Sequence, residues 1–327
     1  MKRFFFGAVI LGFMCSVNPG RADEASTNVL FIGNSYTYYH SMPRMFRAMA
    51  EHHLPGHQIS TKFVGHGGAT LQQHWEEGRV LKEIRSGGWD YVVLQEQSML
   101  GEEIIENGKS YVRHPDQFFE YSGKFQQAIQ ENDIETVFFM TWSRKGYPHQ
   151  QKYLTYAYME IARETGSKIA PAGLVWEKLQ TENLFDLYEK DGSHPTVYGS
   201  YATALMLFSV IFNTDSRGVP GRLEGNEILR DGKISGEKSV LCDLESREVN
   251  VIRSAVSDLF KQMEKGNGYL SAEEAVSNKK PAVITLIFRY LSDAKNQFVI
   301  LIIIAGGILV LKVGAVLLNN GKQAKTE

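Results

Sequence analysis

A serine with an acid and a base within reach can carry out acyl transfer, and this chain holds residues able to form such a set. In VLFIGNSYTYYH an apolar run ends in the turn-forming triplet Gly33-Asn34-Ser35. A parallel strand ending there would present the Ser35 hydroxyl at its carboxyl end, where open α/β sheets place their sites. The competing reading is that the triplet only ends a strand. Far downstream, DGSHPTVYGSYATAL sets Asp191 and His194 three residues apart, just before a helical pattern. At that spacing in a turn, a carboxylate can reach an imidazole, fix its tautomer and favour the imidazolium formed when it takes a proton from a serine. The alternative is a plain turn followed by a proline-led entry into a helix.

A serine nucleophile also needs donors for the oxyanion that develops on the attacked carbonyl. Three are readable: the backbone N–H of Ser35, the N–H of Gly68 in GHGGAT, and the side-chain amide of Gln97 in LQEQS. Each follows an expected strand, so a parallel sheet would gather them at one rim. Taken singly, GHGG reads equally well as an ordinary loop and Gln97 as a polar residue satisfied at a strand end. Ser98 is a second candidate donor. Asn34 and Glu96 are candidate substrate ligands, Glu96 also a candidate second acid. Trp142, at the end of the fourth expected strand, is either a platform for a sugar or part of the core.

Taken together, GNSYT, the glycine block ending in Gly68, DYVVLQEQS and DGSHP resemble the SGNH (GDSL-like) hydrolase superfamily. The branch they resemble most is one of exported bacterial proteins whose third block reads LQEQS, and the likeness spans about 28–212. The resemblance implies a flavodoxin-like three-layer α/β/α sandwich on a parallel sheet of about five strands. It also implies roles: Ser35 as nucleophile, His194 as base, Asp191 as the acid that orients it, and Ser35, Gly68 and Gln97 as the oxyanion hole. Most of the superfamily has asparagine where this chain has Gln97, which offers the same amide on a longer stem.

Other chemistries find little footing. With 35 basic and 37 acidic residues the net charge is -2, and no basic run is interleaved with aromatics, so no nucleic-acid partner is expected. His52, His53 and His57 cluster without an Asp, Glu or Cys at usual ligand spacing, so no metal is expected; His66 and His74 flank the glycine block, where they could line the pocket but are expected at the surface. There is no phosphate loop and hence no expected cofactor, and no G-x-S-x-G elbow of the larger α/β-hydrolases. The expected activity is that of an exported, membrane-anchored serine esterase removing acyl groups from carbohydrate or cell-envelope polymer. The alternatives are a carbohydrate-binding module on an idle SGNH scaffold and an acyltransferase using the same three residues. The intact set of Ser35, Asp191 and His194 counts against the idle scaffold.

The elements that must position these residues follow from the hydrophobic pattern. Short apolar runs at 28–32, 58–64, 90–95, 135–141 and 168–172 read as strands, and amphipathic stretches at 42–53, 71–85, 117–132, 150–165 and 198–212 as helices. The Gly-rich, charged stretch 213–238 reads as a surface excursion, and 244–265 as a closing helix, giving a hydrolase domain over 26–265. Residues 1–25 carry the layout of a signal peptide, with Lys2 and Arg3 before an apolar run. That leaves Cys242 as a lone cysteine, expected to be a buried small hydrophobe. Residues 266–297 read as a linker, with helical spacing near Tyr290 that suits a helix in the membrane interface or, equally, one packed against the main domain. The run 298–318 is long enough for a transmembrane helix, Lys312 being its one charge, and 319–327 would be a cytoplasmic tail.

Overall fold

The structure of the protein is a computed structural model, which describes residues 25–100, 103–106, 109–112, 115–229, 232–264, 298–304 and 307–313. The expected signal peptide, the linker 266–297 and the tail 319–327 lie outside those residues, apart from Ala25. By its contacts the chain divides into two units, one through Tyr269 and one from Leu270.

In the first unit, β1 (Ser26–Gly33) leads through the short α1 (Ser35–Tyr38) and α2 (Met42–His53) to β2 (Gln58–Gly65). Helices α3 (Leu71–Glu77) and α4 (Arg79–Arg85) precede β3 (Tyr91–Leu94). A hairpin of β4 (Glu103–Glu106) and β5 (Lys109–Val112) follows, then α5 (Pro115–Gln130), β6 (Glu135–Phe139), α6 (Gln151–Thr165) and β7 (Lys168–Ala170). The sheet runs in the order β2-β1-β3-β6-β7 with every pair parallel. This is the doubly wound order whose direction of winding reverses beside β1, so a crevice opens at the carboxyl ends of β1 and β3.

The run Val29–Ile32 carries no polar alternation because both faces of β1 are covered. Val29 and Phe31 belong to one apolar core and Leu30 and Ile32 to another. The first core contains α2, α7 (Ala172–Glu182), α8 (Val197–Phe212) and α9 (Ser246–Glu264); the second contains α3 to α6. Each large side chain buried this way contributes roughly 1.5–3 kcal/mol. This is the expected α/β/α sandwich on five parallel strands.

Several elements differ from expectation. The single helix expected over 71–85 is broken at Gly78, whose φ of 70° serves as the left-handed C-cap of α3. Helix α7 follows directly on Pro171, a residue suited to a helix start, and it begins inside the strand expected over 168–172 and runs on through residues to which no element was assigned. The stretch 213–238 is no mere excursion, since β8 (Arg222–Ile228) and β9 (Ile234–Asp243) pair in an irregular antiparallel hairpin. Its residues are mostly exposed, so it lacks the apolar alternation that marks a strand. The hairpin is tied to the α2 region: Arg44 Nε donates to the Asn226 carbonyl at 3.0 Å and Ile228 N–H to Ser41 Oγ at 2.9 Å. Cys242, on β9, is buried as expected.

In the second unit, β10 (Phe298–Ile304) and β11 (Gly307–Val313) pair antiparallel. The transmembrane helix expected over 298–318 is therefore not what the described residues form, and none of their helices is long and apolar enough to cross a membrane. The physical reason lies in the composition: a run that is apolar throughout has no period to choose helix over strand, β-branched Ile and Val favour strand, and Gly306-Gly307 interrupts it.

Candidate active site

The turn after β1 is built from long-range hydrogen bonds. Asn34 caps α1, its Oδ1 accepting from Tyr36 N–H at 3.1 Å while its Nδ2 donates to the Ala69 carbonyl at 2.9 Å. Gln95, wholly buried just beyond β3, accepts at Oε1 from the Asn34 N–H at 2.9 Å and the Thr37 hydroxyl at 2.8 Å. A Cβ on Gly33 would run into that Gln95 oxygen and into Thr37 Oγ1, so the close approach requires glycine. Ser35 is thus the first residue of α1, where a backbone N–H has no acceptor within the helix.

The second segment is a tight loop before α8. Glu189 N–H donates to the His194 carbonyl at 2.8 Å, Gly192 N–H to the Glu189 carbonyl at 2.9 Å, and Gly192 takes a φ of 67° to complete the turn. Asp191 Oδ1 accepts from the N–H groups of Ser193 at 2.8 Å and His194 at 2.9 Å, and its Oδ2 lies 2.5 Å from His194 Nδ1. Burial works against ionisation here, but the hydrogen bonds from the His194 ring and from both backbone N–H groups bring the Asp191 carboxyl down to about 2. On the far side of the ring, His194 Nε2 stands 2.9 Å from Ser35 Oγ. Residues 159 positions apart in sequence therefore form one hydrogen-bonded row, Ser35–His194–Asp191.

Aromatic packing fixes the imidazole. Tyr39 stacks on the His194 ring at 4.3 Å and 15°, and Tyr36 meets its edge at 5.8 Å. Tyr36 also bonds Ser193 Oγ at 2.6 Å, and His40 Nε2 donates to the Pro195 carbonyl at 3.1 Å. Trp142 is fully buried, with Tyr36 stacked 4.5 Å from its ring and Trp176 at 3.8 Å. No face is open to a sugar; instead Trp142 Nε1 donates to the Ser193 carbonyl at 3.0 Å and so holds the loop that carries His194. Asn34 is likewise occupied in the turn, and only 2% of it is exposed.

The third segment, after β3, is densely bonded. Glu96 is buried and accepts from the N–H groups of Gln97 at 2.6 Å and Leu71 at 3.2 Å. Burial, only partly offset by those two donors, pushes its carboxyl up to about 7. Gln97 is half-buried, its Oε1 accepting from Met99 N–H at 2.8 Å and its Nε2 donating to Ser98 Oγ at 3.3 Å. Ser98 in turn accepts from Arg144 Nη2 at 3.2 Å. Gly68 is exposed in its turn with a φ of 70°. His66 is exposed as expected, but His74 is wholly buried, its Nε2 donating to the Gly33 carbonyl at 2.9 Å. The sequence reading missed Gln95, Thr37, Tyr36 and Tyr39. Their roles depend on contacts across the fold, for which the only local sign was the run of aromatics after Ser35.

No family model matches the chain, and no curated protein matches it. Among solved structures 61 chains match. One is a candidate SGNH hydrolase from Slackia heliotrinireducens, 23% identical with a TM-score of 0.45, the match covering 57% of this chain and 99% of that one. Another is the psychrotrophic esterase EstA from Pseudoalteromonas, 12% identical with a TM-score of 0.44, covering 57% of this chain and 97% of that one. A third is a mutant of Axe2, an acetyl-xylooligosaccharide esterase from Geobacillus, 13% identical with a TM-score of 0.42, covering 58% of this chain and 95% of that one.

Proposed function

We propose that this chain is a serine esterase of the SGNH type, working through an acyl-enzyme intermediate. The single observation that carries the reading is the row Ser35 Oγ–His194 Nε2–His194 Nδ1–Asp191 Oδ2, at 2.9 Å and 2.5 Å. His194 Nε2 takes the Ser35 proton as Oγ bonds to the ester carbonyl carbon. Asp191, ionised over the whole working range, holds Nδ1–H and stabilises the imidazolium. The negative charge passes to the carbonyl oxygen, where the N–H groups of Ser35 and Gly68 and the Gln97 amide are the proposed donors. As the tetrahedral intermediate collapses, the C–O bond to the alcohol breaks and His194 returns the proton to the leaving oxygen. A water, deprotonated by His194, then attacks the acyl-enzyme; the acid leaves and Ser35 recovers its proton.

Acyl groups on carbohydrate or cell-envelope polymer are the proposed substrates. What supports this is a polar and aromatic site, with Tyr39 stacked on His194, His40 paired with Glu189 beside the loop that carries His194, and Arg144 on Ser98 after β3. The proposed setting is outside the cytoplasm, with the apolar run 298–318 associating with a membrane; its support is that Lys312 is the run's one charge. The decisive measurement is ester hydrolysis by Ser35→Ala together with labelling by a fluorophosphonate. The variant should remain folded and lose ~10⁴-fold or more in kcat, and the probe should modify Ser35 in the unaltered protein. Full activity in a folded Ser35→Ala protein, or labelling of a different serine, would overturn the mechanism.

A further inference from the structure

A second cluster of side chains with ligand chemistry lies behind the nucleophile turn, outside the triad. His66 follows β2, while His74 and Glu77 stand three apart on α3, a spacing that puts both on one helix face. One ligand atom from each of the three lies within 4.8 Å of those of the other two. His66 Nε2 is already 2.8 Å from Glu77 Oε1, and the His66 and His74 rings are 5.5 Å apart.

His74 is the informative member. Its Nε2 faces the carbonyl of Gly33 at 2.9 Å, and because a carbonyl only accepts, that nitrogen carries the ring hydrogen. Nδ1 is then left with a lone pair, and it is buried without a hydrogen-bond partner in a residue of 0% exposure. A buried acceptor left unsatisfied is costly. An imidazole that donates one N–H to a backbone carbonyl and keeps its other nitrogen buried and bare, in a cluster with a second imidazole and a carboxylate, has the makings of a metal ligand with its outer-shell partner in place.

We propose that His66, His74 and Glu77 bind one divalent transition-metal ion of the zinc class. Two imidazoles and a carboxylate suit such an ion and leave a fourth position for water. Zn–N bonds of about 2.0–2.1 Å place the donors of a tetrahedral site about 3.3 Å apart. His66 and Glu77 are both exposed and can swing the remaining distance, while His74 is fixed by Gly33. The ion would join the two ends of the loop that carries Gly68 and rest, through His74, on the carbonyl two residues before Ser35. The site does not depend on the esterase reading, since none of its ligands belongs to the triad.

The test is to titrate the full-length, metal-stripped protein with Zn²⁺, following stoichiometry by calorimetry and unfolding by thermal shift, and to repeat the titration with Co²⁺ while recording its visible d–d bands. His66→Ala and Glu77→Gln are the variants of choice, because both residues are exposed and the fold does not rest on them. The expected result is one ion per chain, a raised unfolding temperature, tetrahedral Co²⁺ bands, and affinity at least tenfold weaker in each variant. No binding at micromolar Zn²⁺, or binding that both variants leave unchanged, would overturn the proposal and leave His66–Glu77 as an ordinary surface ion pair. Refilling of the site by the conservative variant His66→Asp, beside its loss in His66→Ala, would separate ligation from a general effect on the loop.

Discussion

Gln97 bonds Ser98 Oγ through Nε2 and accepts from Met99 N–H through Oε1, so its side chain shapes the turn after β3. An amide nitrogen carries two hydrogens and the bond to Ser98 uses one, which leaves the other for an oxyanion. If it serves there, Gln97→Ala should lower kcat by roughly 10²-fold with KM little changed, because the donor acts only once charge has developed. An unfolding temperature that falls while kcat holds would make Gln97 a cap of the turn and move the donor role to Ser98. Its neighbour Glu96 gives a pH signature. A carboxyl raised from 4.5 to about 7 holds its proton more tightly folded than unfolded, so the contribution of Glu96 to stability is full below 4.5 and is lost as pH rises to about 7. The loss is on the order of 3 kcal/mol. Glu96→Gln should flatten that slope, and thermal melts across pH 4 to 8 would show it; an unchanged slope would mean another group titrates there. Glu96 was legible in the sequence as a polar residue near the rim, but not as a buried acid, since its burial comes from the packing of α3 and Tyr158 over it.

At the level of elements, the site exists because β1 and β3 are neighbours and Gln95 links their ends. Its buried amide serves Asn34, Thr37 and the Glu96 carbonyl together. Gln95→Ala would strand the Asn34 N–H, and an orphaned buried donor costs about 1–3 kcal/mol. It should therefore lower the unfolding temperature and also reduce kcat, because the turn it releases carries Ser35. Circular dichroism melts and kinetics on the same variant check both; a loss of stability with full kcat would show that the turn holds itself. The fold was readable where elements are periodic or wholly apolar: the Val29–Ile32 run marked a strand covered on both faces, while the spacing of Asp191 and His194 only permitted their pairing and the family resemblance was what implied it. What escaped was set by distant partners. Gln95 lies 61 positions from the N–H it satisfies, Trp142 is read as core only once Tyr36 and Trp176 are stacked on it, and β8 and β9 pair through backbone on a surface that leaves no apolar stripe.

For the whole molecule, the question is what the apolar C-terminal run does when the proposed acyl transfer makes no chemical use of it. Every residue proposed for catalysis precedes Phe212, and the first core closes with α9 at Glu264. The two strands β10 and β11 are seven residues each, short of the roughly 9–11 needed for a strand to cross a bilayer. An isolated hairpin also leaves its outer backbone groups unpaired, which hydrocarbon does not tolerate. Membrane association would thus require the run to take another form in lipid or to rest at the interface, and both depend on its apolar surface. A fragment of residues 26–265 should therefore stay in the aqueous phase on detergent phase separation, while the full chain enters the detergent phase. The fragment should also keep its unfolding temperature and a kcat/KM within about twofold of the full chain, since truncation removes no group that touches the acyl transfer. Aggregation of the fragment, or loss of activity, would mean that residues 266–318 cover part of the first unit and that the apolar run belongs to its core instead of to a membrane.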